Sequence, residues 1–389
     1  MKIPYNVMMV NFSEIDAKAI EVYCAIHGID KSKNLGDITK INLFELEFIN
    51  FLFGGSPCQS FSTAGKLDGS KWTCNECGYA FDPLELENLD EPECPHCKSK
   101  DIKKSESSLI VYWLNIFKHT RPKVAMFENV ANLASKRFKT SFDLFKGKIE
   151  GLGYNIYTNV MNAKDYGIPQ SRKRVICLII RKDVDNGKFK FPEIVTDGKS
   201  VCDLLDDCSD LFIGTDKKIV IDETITPYIR EHIESEADAI VISDKGIYRP
   251  ACSSGWNDHQ VGIKYAPALR ASNPITIVLQ TVDTPDGKKH AIRRLKANEA
   301  YRFMGFDDAD YEKASKLCGK TAIYHQAGNS IVVDVIYLVL KQLFVAMPYL
   351  FEDVRALSLF SGIGAFEKAL GKVVDEANEH AFKGGDLLE

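Results

Sequence analysis

The stretch Phe48-Ile49-Asn50-Phe51-Leu52-Phe53-Gly54-Gly55-Ser56-Pro57-Cys58-Gln59-Ser60-Phe61-Ser62 carries an apolar run into two glycines and then a cysteine. A short apolar run that stops at a glycine pair reads as a buried strand entering a tight turn. Cys58 then lies in a loop at the carboxyl end of that strand, where open α/β sheets hold their ligands. Pro57 restricts the backbone just before it. A cysteine so placed reads as a presented nucleophile or as a small buried residue, and the stretch alone leaves both open.

The surrounding pattern sets the fold class. Residues 7–12 read as a strand and 16–27 as a helix; 34–38 read as a short strand ending in a turn. A helix is expected over 107–119 and another over about 142–151, with strands at 123–127, 155–162 and 175–180. Strands alternating with helices predict an α/β fold with a mostly parallel, doubly wound sheet. The alternation fades beyond Lys182, and 185–290 mix turns, charges and short β-prone runs such as 275–279. That segment is expected to be a separate small domain. Near the other end, Leu357-Ser358-Leu359-Phe360-Ser361-Gly362-Ile363-Gly364 reads as a strand, a glycine turn and the start of a helix.

The chain has 389 residues, 45% of them hydrophobic, enough for a large core divided into two or three units. No secretory signal is visible at its start. The apolar stretch 331–351 is broken by Asp334 and Lys341, so it reads as a buried helix and not as a membrane span. Eleven cysteines at scattered spacing suit a reducing cytoplasm better than a disulfide framework. A net charge of −5 does not advertise a nucleic-acid binder. Base is nonetheless clustered at 136–139, 172–174 and 288–296, and a nucleic-acid channel needs only local positive potential.

Cys74-Asn75-Glu76-Cys77 and Cys94-Pro95-His96-Cys97 are two Cys-x-x-Cys knuckles. The pair predicts a zinc ribbon over 70–104, with structural zinc held by Cys74, Cys77, Cys94 and Cys97. His96 inside the second knuckle leaves a Cys₃His site as the alternative.

Four further motifs stand far apart: Phe127-Glu128-Asn129-Val130; Pro169-Gln170-Ser171-Arg172-Lys173-Arg174; Gly328-Asn329-Ser330, read as opening an apolar helix; and the glycine turn at 360–364. Together with the cysteine loop they resemble the DNA (cytosine-5) methyltransferase family, over roughly three-quarters of the chain. The resemblance implies a Rossmann-like class I methyltransferase fold, S-adenosylmethionine as methyl donor and double-stranded DNA as partner. It implies that Cys58 adds to cytosine C6, that Glu128 serves the ring at N3, that Arg174 binds O2 and that Arg172 supports the cysteine loop. It places Phe360, Gly362, Gly364, Glu14, Asp37, Pro57, Asn329 and Ser330 around the donor. The target base would be flipped out of the duplex, with 185–290 reading the site.

The motif order departs from the family, in which the glycine turn comes first. Here it stands at 360–364 and the chain begins with the usual second strand, so the sequence reads as a circular permutant. The expected division is 1–69, 105–184 and 291–389 for the catalytic domain with its bracing segment, 70–104 for the ribbon and 185–290 for recognition. Ala268-Leu269 stands where the family has Thr-Leu, and Glu106 where an arginine is expected. The resemblance points to a cytoplasmic, monomeric modification enzyme of a bacterium or phage, with a cognate restriction endonuclease as a further partner and no membrane association. A methyltransferase acting on tRNA and a non-catalytic DNA-binding regulator are the alternatives.

Overall fold

The computed structural model describes residues 5–57, 71–89, 91–104, 109–195, 198–206, 239–243, 261–262, 265–271, 276–284 and 287–383. Cys58 and Glu106 therefore lie outside the described residues, as does most of the recognition segment.

The chain forms two compact units. The first comprises residues 1–161, 173–192 and 336–389, the second 162–172 and 193–335. The first begins with β1 (Val7–Ser13), α1 (Ala17–His27) and β2 (Phe51–Gly54). Asp16 starts α1 by accepting the amides of Lys18 and Ala19, and Gly28 ends it in the left-handed region at φ 66°. Then come three short strands, β3 (Trp72–Cys74), β4 (Ala80–Phe81) and β5 (Ile102–Lys103), followed by α2 (Leu109–Thr120) and β6 (Val124–Val130). α3 (Lys139–Gly151), β7 (Tyr154–Asn162), β8 (Gln170–Ser171) and β9 (Lys173–Arg181) follow.

The second unit carries β10 (Ala239–Ser243), β11 (Val261–Gly262), β12 (Ala266–Pro267), β13 (Thr276–Thr284) and β14 (Gly287–Arg294). Four of these form a sheet in the order β11-β10-β13-β14, and β12 pairs with β8. Helices α4 (Ala297–Arg302), α5 (Asp308–Leu317) and α6 (Lys320–Asn329) complete it. The chain ends with α7 (Val333–Ala346), β15 (Val354–Leu359) and α8 (Ala365–Lys383).

The main sheet has the order β1-β15-β2-β6-β9-β7. β1, β15, β2 and β6 run parallel, and β9 is antiparallel to β6. The late strand β15 thus lies between β1 and β2. Both faces of the sheet are covered, which explains why β2 is a continuous apolar run. Leu52 faces a core shared with Trp113 and Phe117 of α2 and Phe145 of α3. On the other side Phe53 stacks on Phe366 of α8 at 5.2 Å, and Phe51 meets Phe351 at 5.5 Å.

Three local expectations are corrected. Residues 34–38 form no strand: Asn34 makes one bridge to Phe12, and Asp37 then caps a 3₁₀ turn at Ile38–Lys40. Gly328-Asn329-Ser330 closes α6 instead of opening a helix, with Ser330 as the C-cap. Gly328 is small because a Cβ there would lie 2.2 Å from the amide nitrogen of Ala271. Glu128 belongs to the strand β6 itself.

Residues 320–346 are long and apolar enough by composition to cross a membrane. They form two helices, however, and α7 has 14 residues where a span needs about 20. Its Ile336, Val339, Leu340 and Leu343 are buried, so α7 is a core helix.

Candidate active site

Strand register decides where the motifs meet. Ser13 pairs with Leu359, Leu359 with Gly54, and Gly54 with Phe127. One row across four parallel strands therefore ends at the same level. The next residues are Glu14, Phe360, Gly55 and Glu128, so four motifs scattered over the sequence emerge along one carboxyl edge. That edge is the ligand side of a doubly wound sheet.

Glu14 faces the glycine turn. Its Oε1 accepts the amides of Ile15 and Asp16 at 2.8 and 2.9 Å, and its Oε2 accepts the amide of Gly362 at 2.9 Å. Three amide donors fix the carboxylate and leave it lone pairs for further hydroxyl donors. Phe360 adopts φ 54°, an uncommon conformation for an aromatic residue. Backbone outliers of this kind concentrate at ligand clamps. Gly362 and Gly364 follow at φ 55° and 83°, and a Cβ on Gly362 would meet nothing within 4 Å. At Gly362 the turn thus faces open space. Asp37 Oδ1 accepts the Thr39 amide and hydroxyl, bonds that hold its carboxyl below the usual range. A donor bearing a ribose, an adenine and an amino-acid group fits such a set of two carboxylates, an aromatic ring and a glycine turn open at Gly362.

Glu128 and Arg174 form an ion pair at 2.8 Å. The antiparallel register explains it. Glu128 stands opposite Ile176, and Arg174 opposite Val130, so the two are diagonal neighbours on one sheet face. Both are largely shielded, with side-chain exposures of 10% and 20%. Gly55 packs directly on Glu128: a Cβ at Gly55 would lie 2.6 Å from the Glu128 carbonyl oxygen and 2.8 Å from Oε2.

Two functional contacts escaped the sequence reading. Asn129 Nδ2 donates to the Ser56 carbonyl at 3.0 Å and approaches Ser56 Oγ at 3.2 Å, tying β6 to the start of the cysteine loop at Ser56-Pro57. The available signal was a polar residue at the end of a buried strand, which must find a partner. Gly55 read as a turn residue, although it is needed for close packing on Glu128.

Arg172, in the second unit, is buried with 4% exposure. Its guanidinium donates to the carbonyls of Leu269, Gly328 and Ser330 at 2.9, 2.8 and 2.7 Å. It braces backbone that the sequence leaves 97 to 158 residues away. Asn329 ends α6 with its amide against His325. Of the basic run 172–174, one arginine is thus committed to carbonyls and the other to Glu128. Lys139, in the run 136–139, pairs with Asp143.

The four cysteine sulfurs lie within 4.8 Å of one another. Cys74 and Cys97 are separated by 3.5 Å and Cys77 and Cys94 by 3.6 Å, too far for disulfides. Sulfurs at about 2.3 Å from a tetrahedral zinc would stand at about 3.8 Å, so the set fits that ion. The two knuckles repeat one backbone pattern. Gly78 donates to the Cys74 carbonyl and Lys98 to that of Cys94, and both residues have positive φ, at 69° and 62°. The ribbon sheet, in the order β4-β3-β5, is docked and not tethered: Trp72, Phe81 and Leu84 join the core beside α2 and α3.

Residues 5–77 and 96–345 match the C-5 cytosine-specific DNA methylases. The chain belongs to this family. It is 32% identical to the type II methyltransferase M2.ScrFI of Lactococcus lactis subsp. cremoris, over 80% of this chain and 71% of that protein. It is 25% identical to the orphan methyltransferase M.SPBetaI of Bacillus phage SPbeta, over 86% and 91% respectively. Among solved structures, the methyltransferase EhMeth of Entamoeba histolytica superposes with a TM-score of 0.53 at 16% identity, covering 87% of this chain and 90% of that one, a likeness of fold. The enzyme is an S-adenosylmethionine-dependent DNA (cytosine-5) methyltransferase of the class I fold. The family match omits residues 78–95 and stops at 345, before β15.

Proposed function

We propose that the enzyme methylates cytosine within a specific duplex sequence through a covalent adduct of Cys58, and that the carboxyl edge of the main sheet is its reaction centre. The observation that carries this reading is the register row that delivers Glu14, Phe360, Gly55 and Glu128 to one edge.

The Cys58 thiolate adds to C6 of the extruded cytosine, which makes C5 nucleophilic. Negative charge then accumulates at the ring. The Glu128 carboxyl group answers it by sharing or supplying a proton at N3, and Arg174, already paired with Glu128, is set to bind O2. S-adenosylmethionine, when bound, would supply the electrophilic methyl group to C5, its sulfur–methyl bond breaking to leave S-adenosylhomocysteine. Loss of the C5 proton and expulsion of the thiolate then give 5-methylcytosine and the free cysteine. Glu14 holds the ribose hydroxyls, Phe360 and Asp37 the adenine, and Gly362 leaves room for close approach, while the places of Gly364 and Pro57 beside the donor follow from the family resemblance. The parts of Asn329 and Ser330 at the methionine end rest on the family resemblance alone, as does loop support by Arg172.

The chain reads as a circular permutant with a zinc-ribbon insertion. Support comes from β15 lying between β1 and β2, and from a family match that passes over 78–95 and ends before β15. The names of the relatives, type II and orphan methyltransferases of bacteria and phages, support a role in restriction-modification or phage self-protection. A cognate endonuclease, a monomeric state and a cytoplasmic site complete the proposal.

The test is a duplex carrying 5-fluorocytosine at the target. Wild type with S-adenosylmethionine should form a denaturation-resistant complex, and Cys58→Ser should not. Trapping on tRNA in place of duplex DNA, or normal turnover by Cys58→Ser, would overturn the reading.

A further inference from the structure

We propose that His27 of α1 is a positioning residue for the methyl-donor turn, acting through the carbonyl of Ile363, with Tyr23 as a second anchor on the same helix face. The inference rests on the assignment of the glycine turn to donor binding.

Ile363 stands between the two glycines of the turn, and its side chain is buried at 2% exposure. Its carbonyl oxygen lies 3.0 Å from His27 Nε2. A carbonyl only accepts, so this nitrogen carries the proton. The ring fits closely beneath the turn: a Cβ on Gly364 would stand 2.0 Å from the same nitrogen. Glycine is required at 364 by this ring as well as by its φ of 83°.

Tyr23 precedes His27 by one helical turn and shares its face, with ring centroids 4.9 Å apart. Its hydroxyl donates to Glu367 Oε1 at 3.0 Å, and both groups are buried. Burial first, and the Glu367 charge second, push the Tyr23 hydroxyl far above its ordinary range, so it remains a donor. Tyr23 is itself held by Phe12 of β1, stacked at 4.1 Å. Two donors one turn apart on α1 thus grip two acceptors four residues apart, one in the turn and one in the first turn of α8.

Two positive-φ glycines make an isolated turn costly to order. A hydrogen bond from behind orders it before ligand arrives. The bond touches no reacting atom, so its loss should weaken ground and transition states equally and appear in KM rather than in kcat.

The experiment compares His27→Leu, His27→Gln and His27→Asn in the full chain, by calorimetry with S-adenosylmethionine and by steady-state methylation. Loss of one such bond predicts about three- to tenfold weaker donor affinity in His27→Leu, with kcat changed by less than about twofold. Gln places an amide nitrogen where Nε2 stood and should restore affinity; the shorter Asn should not. Tyr23→Phe keeps the ring and should show a loss of the same kind. Wild-type affinity in His27→Leu, equal weakness in the Gln and Leu variants, or a loss confined to kcat would overturn the proposal. Failure of the wild type to bind the donor would instead overturn the donor-site assignment.

Discussion

Glu14 Oε2 accepts the amide of Gly362 at 2.9 Å, although 348 residues separate the two. The carboxylate that follows β1 and the glycine turn that follows β15 are thereby one structure. Glu14→Gln removes the charge and replaces one amide-accepting oxygen with an NH₂ group that can only donate. Donor affinity should fall by about 1.5–3 kcal/mol, the range for hydrogen bonds to charged groups. Glu14→Asp is one methylene shorter and should not recover it. Calorimetry with S-adenosylmethionine reads both, and unchanged affinity would separate Glu14 from the donor site.

Glu128→Gln should lower kcat by about 10²–10⁴, the usual scale of general acid-base assistance. Covalent trapping on 5-fluorocytosine should slow in parallel. Gly55→Ala offers an independent probe of the same group. Its methyl would press on the Glu128 carbonyl and Oε2, so activity should fall while zinc content stays constant. A Gly55→Ala enzyme with wild-type kcat would mean that this packing does not hold the carboxylate.

Arg172→Lys should destabilise the second unit. Lysine offers one ammonium in place of a planar fork that meets three carbonyls, and they would be left short of donors. A loss of about 1.5–3 kcal/mol is expected from thermal or denaturant unfolding. Unchanged unfolding would show that the carbonyls find water.

In the ribbon, Lys98→Gly should stabilise the zinc-loaded domain. Lys98 holds φ 62° at the position Gly78 occupies in the first knuckle. A side chain in that conformation costs about 1–2 kcal/mol, which glycine relieves. Cys74→Ala should remove zinc and release Trp72 from the core, visible as a red shift of tryptophan emission. Elemental analysis that finds no zinc in chelator-free wild type would refute the ribbon assignment.

Asp206 supplies a pH test. Burial raises its pKa, but hydrogen bonds from Lys296, Asn298 and Arg302 outweigh burial and bring it down to about 2. A folded value below the unfolded one of about 3.9 means stability that is complete above about pH 5 and lost as pH falls toward 2. Asp206→Asn should flatten that part of the acid-unfolding curve. An unchanged curve would assign acid lability to other carboxylates.

Much of this architecture was legible because its signals are local. The run Phe51–Phe53 and its glycine pair gave β2, and the alternation of strands and helices gave the sheet. The knuckle spacing identified four cysteines whose sulfurs do converge. Two things were not legible. Register is a property of strand pairs, so nothing in the sequence around Glu14 or Gly55 says that both stand level with Glu128. Side-chain commitment is equally non-local: Arg172 read as a support for the cysteine loop, and nothing near it in sequence says that its partners are carbonyls at 269, 328 and 330. The helix expected to open at Gly328 failed for a similar reason, because the glycine answers the backbone of Ala271 and not a helix start.

The position of β15 also orders events in time. β1 and β2 flank it, and Asn50 beside β2 bonds to Asp353 across 303 residues. During synthesis the two flanking strands emerge well before their central partner, which must await translation of Val354–Leu359. Contacts of such long range fold slowly, since the entropy of closing a long loop is lost before the contact repays it. The four-cysteine module, built from residues close in sequence, can form long before. A nascent chain can therefore complete its four-cysteine module while the sheet still lacks the strand that joins Gly362 to Glu14.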